Sequence, residues 1–191
     1  MPRTSMKSPI CRLILALSLC AIVSTAARAA EPASAQELFF ENLRKLCGST
    51  FEGATEFPED PNHPLGGKKL TIHIASCCET EIRIPLQAGE DKSRTWVLTV
   101  RDGRLLLKHD HRHADGTPDV QTNYGGWATS DGSPERQRFA ADEETAKLIP
   151  EAATNVWTIE FDAAGEQFVY SLERHAAPRY KAVFRRFKPA H

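Results

Sequence analysis

Apolar and polar residues alternate along much of the chain beyond residue 70, which indicates β-strands with one buried face. Between residues 70 and 86 the large apolar side chains share one parity: Leu70, Ile72, Ile74, Ile82, Ile84 and Leu86. A single strand over this stretch would be about 50 Å long at about 3.3 Å per residue, which is too long for a domain of this size. The run is therefore predicted to break near residues 77–79, through a three-residue hairpin loop or a bulge.

Shorter alternating segments follow, and turn residues such as Asp102-Gly103, Asp115-Gly116 and Ala164-Gly165 separate them. Strands are predicted around residues 96–100, 105–113, 121–127, 135–139, 157–161, 168–172 and 180–187. About eight to ten consecutive strands joined by short turns predict an all-β domain. We expect an antiparallel up-and-down β-barrel, because closure removes the exposed strand edges.

Before the strands, the sequence predicts one N-terminal helix. Ser34 and Glu37 form a capping-box pattern, apolar residues recur at helical spacing after them, and Gly48 ends the segment. Residues 52–68, which hold three prolines and a Gly-Gly pair, are predicted to form a loop. A second, short helix is predicted over residues 142–149, where a proline follows at once.

Residues 1–29 have the pattern of a secretory signal peptide. Basic residues come first, an apolar run follows, and Ala27-Arg28-Ala29 provides a cleavage site. The apolar run is shorter than the roughly 20 residues of a membrane-spanning helix. The mature chain, residues 30–191, is therefore predicted to be a single periplasmic or secreted domain without a transmembrane segment. Lipoprotein anchoring through Cys20 is not expected, because Leu17-Ser18-Leu19 puts a bulky leucine where bacterial lipoprotein signals have a small residue.

The charge balance gives no electrostatic footprint for nucleic acid. The chain has 24 basic and 25 acidic residues. Removal of residues 1–29 takes four basic residues and no acidic one, which leaves a net charge of −5. Because the remaining charges are dispersed and mildly acidic overall, no nucleic-acid partner is predicted.

Three cysteines remain in the mature chain, and one disulfide is predicted among them. Cys47 is expected to pair with Cys77 or Cys78, since adjacent cysteines on a strand point to opposite faces. The pair assigned is Cys47 and Cys78, with Cys77 as the alternative partner. The third thiol is expected to be a small buried hydrophobic side chain rather than a reactive or metal-binding thiol.

Histidines occupy alternate positions at the end of one predicted strand: His109, His111 and His113. The opposite parity is nearly all charged and is expected to face solvent: Arg104, Leu106, Lys108, Asp110 and Arg112. The three imidazoles are therefore predicted to point inward near one rim, where the ligand sites of barrels open. Arg94, Trp96 and Tyr124 complete the predicted ligand-binding set. The guanidinium of Arg94 could bind an anionic group, and the alternative role for it is a surface salt bridge.

A metal ion such as zinc or copper is one ligand that this histidine face could hold. Imidazoles at positions i and i+2 stand about 6.6 Å apart and can share an ion, whereas those at i and i+4 stand about 13 Å apart and cannot. At most two of the three would bind one ion, so a further ligand is required. The predicted metal set is His109, His111, His113 and Asp119, with His63, Glu81 and Cys78 as other candidate ligands.

Two further interpretations remain open. In one, the imidazoles satisfy buried polar groups and bridge water inside a polar-lined barrel, with or without a small organic ligand. In the other, a histidine beside a carboxylate is the general base of a metal-dependent or acid–base enzyme of the hydrolase or isomerase type. The sequence contains no nucleophile elbow, H-E-x-x-H or paired-carboxylate pattern. A non-catalytic binder of a small molecule or metal ion is therefore the preferred interpretation.

The predicted layout is similar to that of the calycin superfamily of lipocalins and fatty-acid-binding proteins, whose barrels hold a small ligand. Residues 46–53 resemble the Gly-x-aromatic entry of such barrels, with Phe51 in place of their usual Trp. Blocks over most of the mature chain also resemble an uncharacterised family of bacterial secreted proteins. These blocks are EIRIP (81–85), EDKSRTW (90–96), HDHRH (109–113), DG (115–116), YGG (124–126) and NVWT (155–158). This resemblance implies a shared fold and no particular chemistry.

Overall fold

The computed structural model describes residues 33–189. Its helices are α1 (Ala35–Lys45), α2 (Glu143–Leu148) and a 3₁₀ turn (Pro150–Ala152). Its strands are β1 (Thr50–Phe57), β2 (Leu70–His73), β3 (Ser76–Cys77), β4 (Glu81–Ala88), β5 (Asp91–Arg101), β6 (Arg104–His111), β7 (Tyr124–Ala128), β8 (Arg136–Ala141), β9 (Asn155–Phe161), β10 (Gln167–Arg174) and β11 (Ala177–Arg186). None of the helices in this part of the chain is long and apolar enough to cross a membrane.

The strands form a closed antiparallel barrel. Strands β4 to β11 pair in sequence order, β11 pairs with β1, and β1 pairs with β2. β2 and β3 follow one another along the same edge of β4, β2 beside residues 86–88 and β3 beside residues 82 and 83. Within residues 33–189, ten strand positions therefore close the ring, and β2 and β3 share one of them. The predicted all-β, up-and-down barrel with an N-terminal helix is confirmed.

One parity of each strand fills the interior of the barrel. The fully buried side chains include Phe51, Leu70, Ile84, Leu98, Leu107, Phe139, Ile159, Phe168 and Phe184. They come from nine different strands and belong to one continuous apolar cluster. Burial of apolar surface on this scale is the main favourable contribution to folding.

Helix α1 closes one end of the barrel. Its N-terminus has the predicted capping box, in which Ser34 Oγ accepts the Glu37 N–H at 3.2 Å and the Glu37 carboxylate accepts the Ser34 N–H at 2.7 Å. The buried ring of Phe39 lies 5.1 Å from that of Phe161 on β9. The side-chain oxygen of Gln36 accepts a 2.9 Å hydrogen bond from the backbone N–H of Leu105, near the start of β6. Because the helix covers this end, a ligand would have to enter the barrel at the opposite end.

Strand β1 lies within the stretch predicted to be a loop, so that prediction is wrong for residues 52–57. These residues carry little hydrophobic signal, but β1 pairs with β2 on one side and with β11 on the other. Its conformation is set by tertiary pairing rather than by local propensity. Gly53 permits the close packing of β11, because a Cβ there would lie 2.0 Å from the Val183 carbonyl oxygen.

The disulfide joins Cys47 to Cys77, whose Cα atoms are 6.2 Å apart, and the assignment of Cys78 is wrong. Residues 74 and 75, between β2 and β3, interrupt the alternation, so that Cys77 lies opposite the inward Ile82 on β4. Cys78 begins the three-residue loop 78–80 and is exposed, which contradicts the expected buried thiol. The predicted break near residues 77–79 is confirmed.

Replacing Cys47 by Ser should lower the free energy of unfolding by about 2–4 kcal/mol, because the bridge constrains a long loop of the unfolded chain. The bonded cysteines are 30 residues apart. Urea denaturation of the oxidised proteins, followed by far-UV circular dichroism, measures the effect. Cys78→Ser is the matched control and should unfold at the midpoint of the unaltered protein. Equal destabilisation of both variants would contradict the pairing.

Candidate functional site

A cavity of about 310 Å³ lies at the end of the barrel away from α1. Its strand residues come from the ends of β4, β6 and β10 and from the starts of β5, β7, β9 and β11. Antiparallel pairing brings those strand ends to one rim. Aromatic side chains form much of the wall: Trp96, Tyr124, Trp157, Tyr170 and Tyr180.

His109 forms the floor of the cavity and is 2% exposed. Its Nδ1 lies 3.1 Å from the Tyr124 carbonyl oxygen, and its Nε2 lies 2.7 Å from the Tyr170 hydroxyl. A carbonyl oxygen can only accept, so Nδ1 carries the proton and Nε2 accepts the hydroxyl hydrogen. Burial lowers the pKa of His109 to about 3, because the imidazolium would lose its hydration. The ring is therefore neutral, with both nitrogens engaged.

His111 lines the cavity closer to its mouth and is partly exposed. Its Nε2 lies 3.1 Å from the Tyr124 hydroxyl. Its backbone N–H donates to Thr122 Oγ1 at 2.8 Å, which fixes the last residue of β6. Burial first, and then the charge of Arg94, lower the pKa of His111, so the neutral imidazole is favoured.

His113 does not line the cavity, and its predicted inward position is wrong. β6 ends at His111, and the chain then turns over residues 113–117, where the Gly116 N–H donates to the His113 carbonyl at 2.9 Å. The imidazole is exposed because the chain has already passed the rim. Beyond the rim, strand parity no longer distinguishes inside from outside.

The outer face of β6 is also less exposed than predicted. Leu106 and Asp110 are 3% and 7% exposed. Leu106 lies opposite Trp127 on β7. Asp110 accepts hydrogen bonds from Arg83 at 2.7 Å and from Arg112 at 3.1 Å. An outward strand position is therefore buried where neighbouring side chains cover it.

Residues 33–189 hold no cluster of three or more His, Cys, Asp or Glu side chains placed to bind a metal ion. His109 has no ring nitrogen to spare, and His113 is exposed. The Asp119 carboxylate accepts the backbone N–H of Gln121 at 2.8 Å within its own loop. The structure does not bring the predicted metal set together. Among the other candidate ligands, His63 lines the cavity.

The predicted ligand-binding residues Arg94, Trp96 and Tyr124 all line the cavity. The ring of Trp96 stacks on that of Tyr170 with centroids 4.2 Å apart. The ring of Tyr124 stacks on that of His109 with centroids 4.7 Å apart. These contacts hold flat aromatic surfaces in fixed orientations around the cavity.

The phenol groups of the wall are hydrogen-bond donors rather than bases. Burial raises the pKa of Tyr124 to about 12 and raises that of Tyr170 well above 10. Both therefore keep their protons in neutral solution. The Tyr170 proton is directed to His109.

Asn155 and Arg174 also line the cavity, although the sequence pattern does not single them out. They lie opposite one another at the start of β9 and the end of β10, and Arg174 Nε donates to Asn155 Oδ1 at 2.8 Å. Polar residues at strand ends escape prediction because alternation does not show where the rim lies. The signal that could have found them is the register of the β9–β10 hairpin, whose turn is recognisable at Ala164-Gly165.

No protein-family model matches the chain, and a search of curated proteins gave no match. The resemblance to a family of bacterial secreted proteins therefore stays a prediction. Since a barrel fold can serve many functions, the function has to be argued from the cavity and its residues.

Stability should fall as the pH is lowered from about 6.5 towards 3, because His109 takes up a proton when unfolded but not when folded. The loss for this one group is at most about 1.4 kcal/mol per pH unit. His109→Gln should flatten the dependence between pH 6 and pH 4. Urea unfolding at each pH measures it. His113→Gln, at an exposed histidine, should keep the slope of the unaltered protein. An unchanged slope in His109→Gln would show that this histidine is not buried in the neutral form.

Proposed function

We propose that this protein is a secreted or periplasmic barrel that binds a small molecule, without catalysing its reaction, in the cavity at its open rim. The observation that carries the proposal is a concave site with aromatic walls and converging polar groups above a fully packed core. His109 and His111 contribute the polar part of the wall, together with Arg94, Asn155 and Arg174.

The size and composition of the cavity are those of a small-molecule site. Its volume of about 310 Å³ lies at the lower end of the roughly 300–1,000 Å³ typical of such sites. Small-molecule sites are usually apolar or aromatic, with a few polar groups that orient the ligand. The aromatic rings and imidazoles here match that composition.

The polar groups are oriented before any ligand arrives. His109 is fixed by Tyr124 and Tyr170. Thr55 Oγ1 donates to a loop carbonyl at 2.8 Å, and it therefore accepts the hydroxyl hydrogen of Tyr180 at 3.1 Å. Because these side chains need little ordering, less of the interaction free energy is lost on binding.

The same hydrogen bonds make His109, Tyr124 and Tyr170 unsuited to act as general bases, which favours binding over acid–base catalysis by these three groups. A general base needs an available lone pair within reach of the substrate. The phenols of Tyr124 and Tyr170 are protonated, and both ring nitrogens of His109 are engaged. These groups are arranged to hold a ligand in place.

Export is supported by two features that are independent of the cavity. The predicted signal peptide, residues 1–29, lies outside the described residues. The Cys47–Cys77 disulfide is of a kind that forms and persists in oxidising compartments such as the periplasm or the extracellular space.

Filling the cavity should weaken binding while leaving the fold intact. Ala152 is 2% exposed and lines the cavity, whereas the adjacent Ala153 is exposed. Ala152→Phe should weaken binding of the neutral fluorescent probe N-phenyl-1-naphthylamine at least tenfold. Ala153→Phe is the same substitution outside the cavity, and this variant should bind the probe as the unaltered protein does. Fluorescence titration measures both, and circular dichroism verifies the fold.

Native mass spectrometry and elemental analysis of protein purified from the periplasm test the same proposal without a chosen probe. A retained organic molecule that is lost from Ala152→Phe supports it. One equivalent of zinc or copper, lost from His111→Ala, would favour metal binding instead. Substrate turnover abolished in His111→Ala would establish the enzyme alternative.

The exported protein should have the mass of residues 30–191 less two hydrogens, because the signal peptide is removed and one disulfide forms. Without reduction, one equivalent of a maleimide should add, at the exposed Cys78. Intact-mass spectrometry before and after labelling checks both. Retention of residues 1–29, or a lipid attached at Cys20, would contradict the export proposal.

A further inference from the structure

Two guanidinium groups line the cavity, those of Arg94 and Arg174. Arg94 is paired with Asp91, whereas Arg174 has no ionic partner among the described residues. No Asp or Glu of the described residues 33–189 lines the cavity. A partly enclosed site of one charge sign attracts ligands of the opposite sign, because the low-dielectric walls concentrate the field. The charge of the wall therefore favours an anion.

Arg174 and Asn155 together present several hydrogen-bond donors to the cavity. Arg174 Nε can only donate, so the 2.8 Å contact identifies the Asn155 atom facing it as Oδ1. The amide nitrogen of Asn155 then points away from Arg174. Within the described part of the chain, neither this nitrogen nor the two terminal nitrogens of Arg174 has a hydrogen-bond acceptor. Asn155 is 4% exposed, so its donor lies in the sheltered part of the site.

Arg94 supplies a second cation on another part of the wall. It is anchored by Asp91, which accepts from one terminal nitrogen, and the same nitrogen lies 3.3 Å from Ser93 Oγ. The Nε and the other terminal nitrogen of Arg94 have no acceptor among residues 33–189. A guanidinium anchored through one nitrogen keeps the geometry to bind a carboxylate or a similar oxyanion through the others.

The shape of the cavity favours a short, flat ligand body. Trp96 and Tyr170 stack within 17° of parallel, and His109 and Tyr124 stack within 11°. Such surfaces pack well on another aromatic ring. Below His109 the barrel is filled by core side chains such as Leu107, which leaves no channel for a long alkyl chain.

We infer that the cavity binds a small organic anion with a flat, unsaturated body, of which an aromatic carboxylate is the simplest form. The carboxylate binds to Arg174 and Asn155, and Arg94 adds a second positive charge. The ring packs against Trp96 and Tyr170. This inference rests on the proposed function and specifies the chemical class of its ligand.

Three probes of one shape and different charge test the inference on the unaltered protein: 2-naphthoate, 2-naphthamide and 2-naphthylmethylammonium. Isothermal titration calorimetry at pH 7.4 should give 2-naphthoate at least tenfold higher affinity than the amide, and the ammonium probe the lowest affinity. The preference should diminish as salt is added, because the added ions screen the partly exposed guanidinium groups.

Charge-removing variants then locate the anion. Arg174→Gln and Arg94→Gln should each lower 2-naphthoate affinity about tenfold and change 2-naphthamide affinity less than twofold. Arg185→Gln is the matched control, because it removes the same charge from an exposed side chain at the end of β11 that lies away from the cavity. It should bind 2-naphthoate as the unaltered protein does. If one cavity variant fails to fold, the other variant and the three-probe comparison still test whether the cavity binds an anion.

The outcomes separate the inference from the function on which it rests. Equal affinity for the three probes, or a preference for the amide or ammonium, overturns the anionic class while cavity binding stands. Binding of 2-naphthoate that is unchanged in Arg174→Gln and Arg94→Gln overturns the assignment of those residues. If N-phenyl-1-naphthylamine binds but none of the three naphthalene probes does, the ligand class is overturned and the proposed function stands. Failure of all four probes to bind overturns the proposed function itself.

Discussion

The neutral imidazole of His109 divides the interior of the barrel into a dry core and a cavity. At this depth a charged ring would lose its hydration, so the ring stays neutral and needs one donor and one acceptor as partners. The Tyr124 carbonyl and the Tyr170 hydroxyl supply them. Tyr170 in turn stacks on Trp96. One buried polar group thus fixes the orientation of the aromatic wall around it, as satisfied buried networks generally do.

The two ends of the barrel are closed by different elements, and the cavity lies at the end that none of the described helices fills. At one end α1 inserts Phe39 against Phe161, and the disulfide from Cys47 ties the chain just after the helix to β3. The opposite end has no comparable helix inserted among the described residues; loops and the short α2 segment with its 3₁₀ turn border it instead. Polar and cationic side chains at the strand ends therefore line a cavity there instead of packing into the apolar core.

Strand parity predicted the fold because it reports a periodic property of a long stretch of chain. It placed Ile84 and Trp96 inside and located His109 and His111 at the cavity. It failed wherever the period was interrupted. The break between β2 and β3 moved the inward position to Cys77, and the end of β6 left His113 in solvent.

The parts of the site that the sequence did not reveal depend on contacts between distant strands. Asn155 and Arg174 face each other only because β9 and β10 pair in one register. The outward Asp110 is buried only because Arg83, on a strand two positions away in the sheet, reaches its carboxylate. Such placements require the register and the rim to be known, and a pattern of hydrophobic residues fixes neither at strand ends.

His111 is held in position by contacts on the outer face of β6 and in the loop that follows this strand. On the outer face, the carboxylate of Asp110 binds Arg83 and Arg112. In the following loop, Thr122 accepts the His111 backbone N–H at 2.8 Å and lies 3.5 Å from Asp110. A buried carboxylate is stable only while its cationic partners remain, so this cluster keeps β4, β6 and the rim loop in one arrangement. The geometry of the cavity mouth is therefore determined in part by charged groups on the outside of the barrel, which no ligand in the cavity touches.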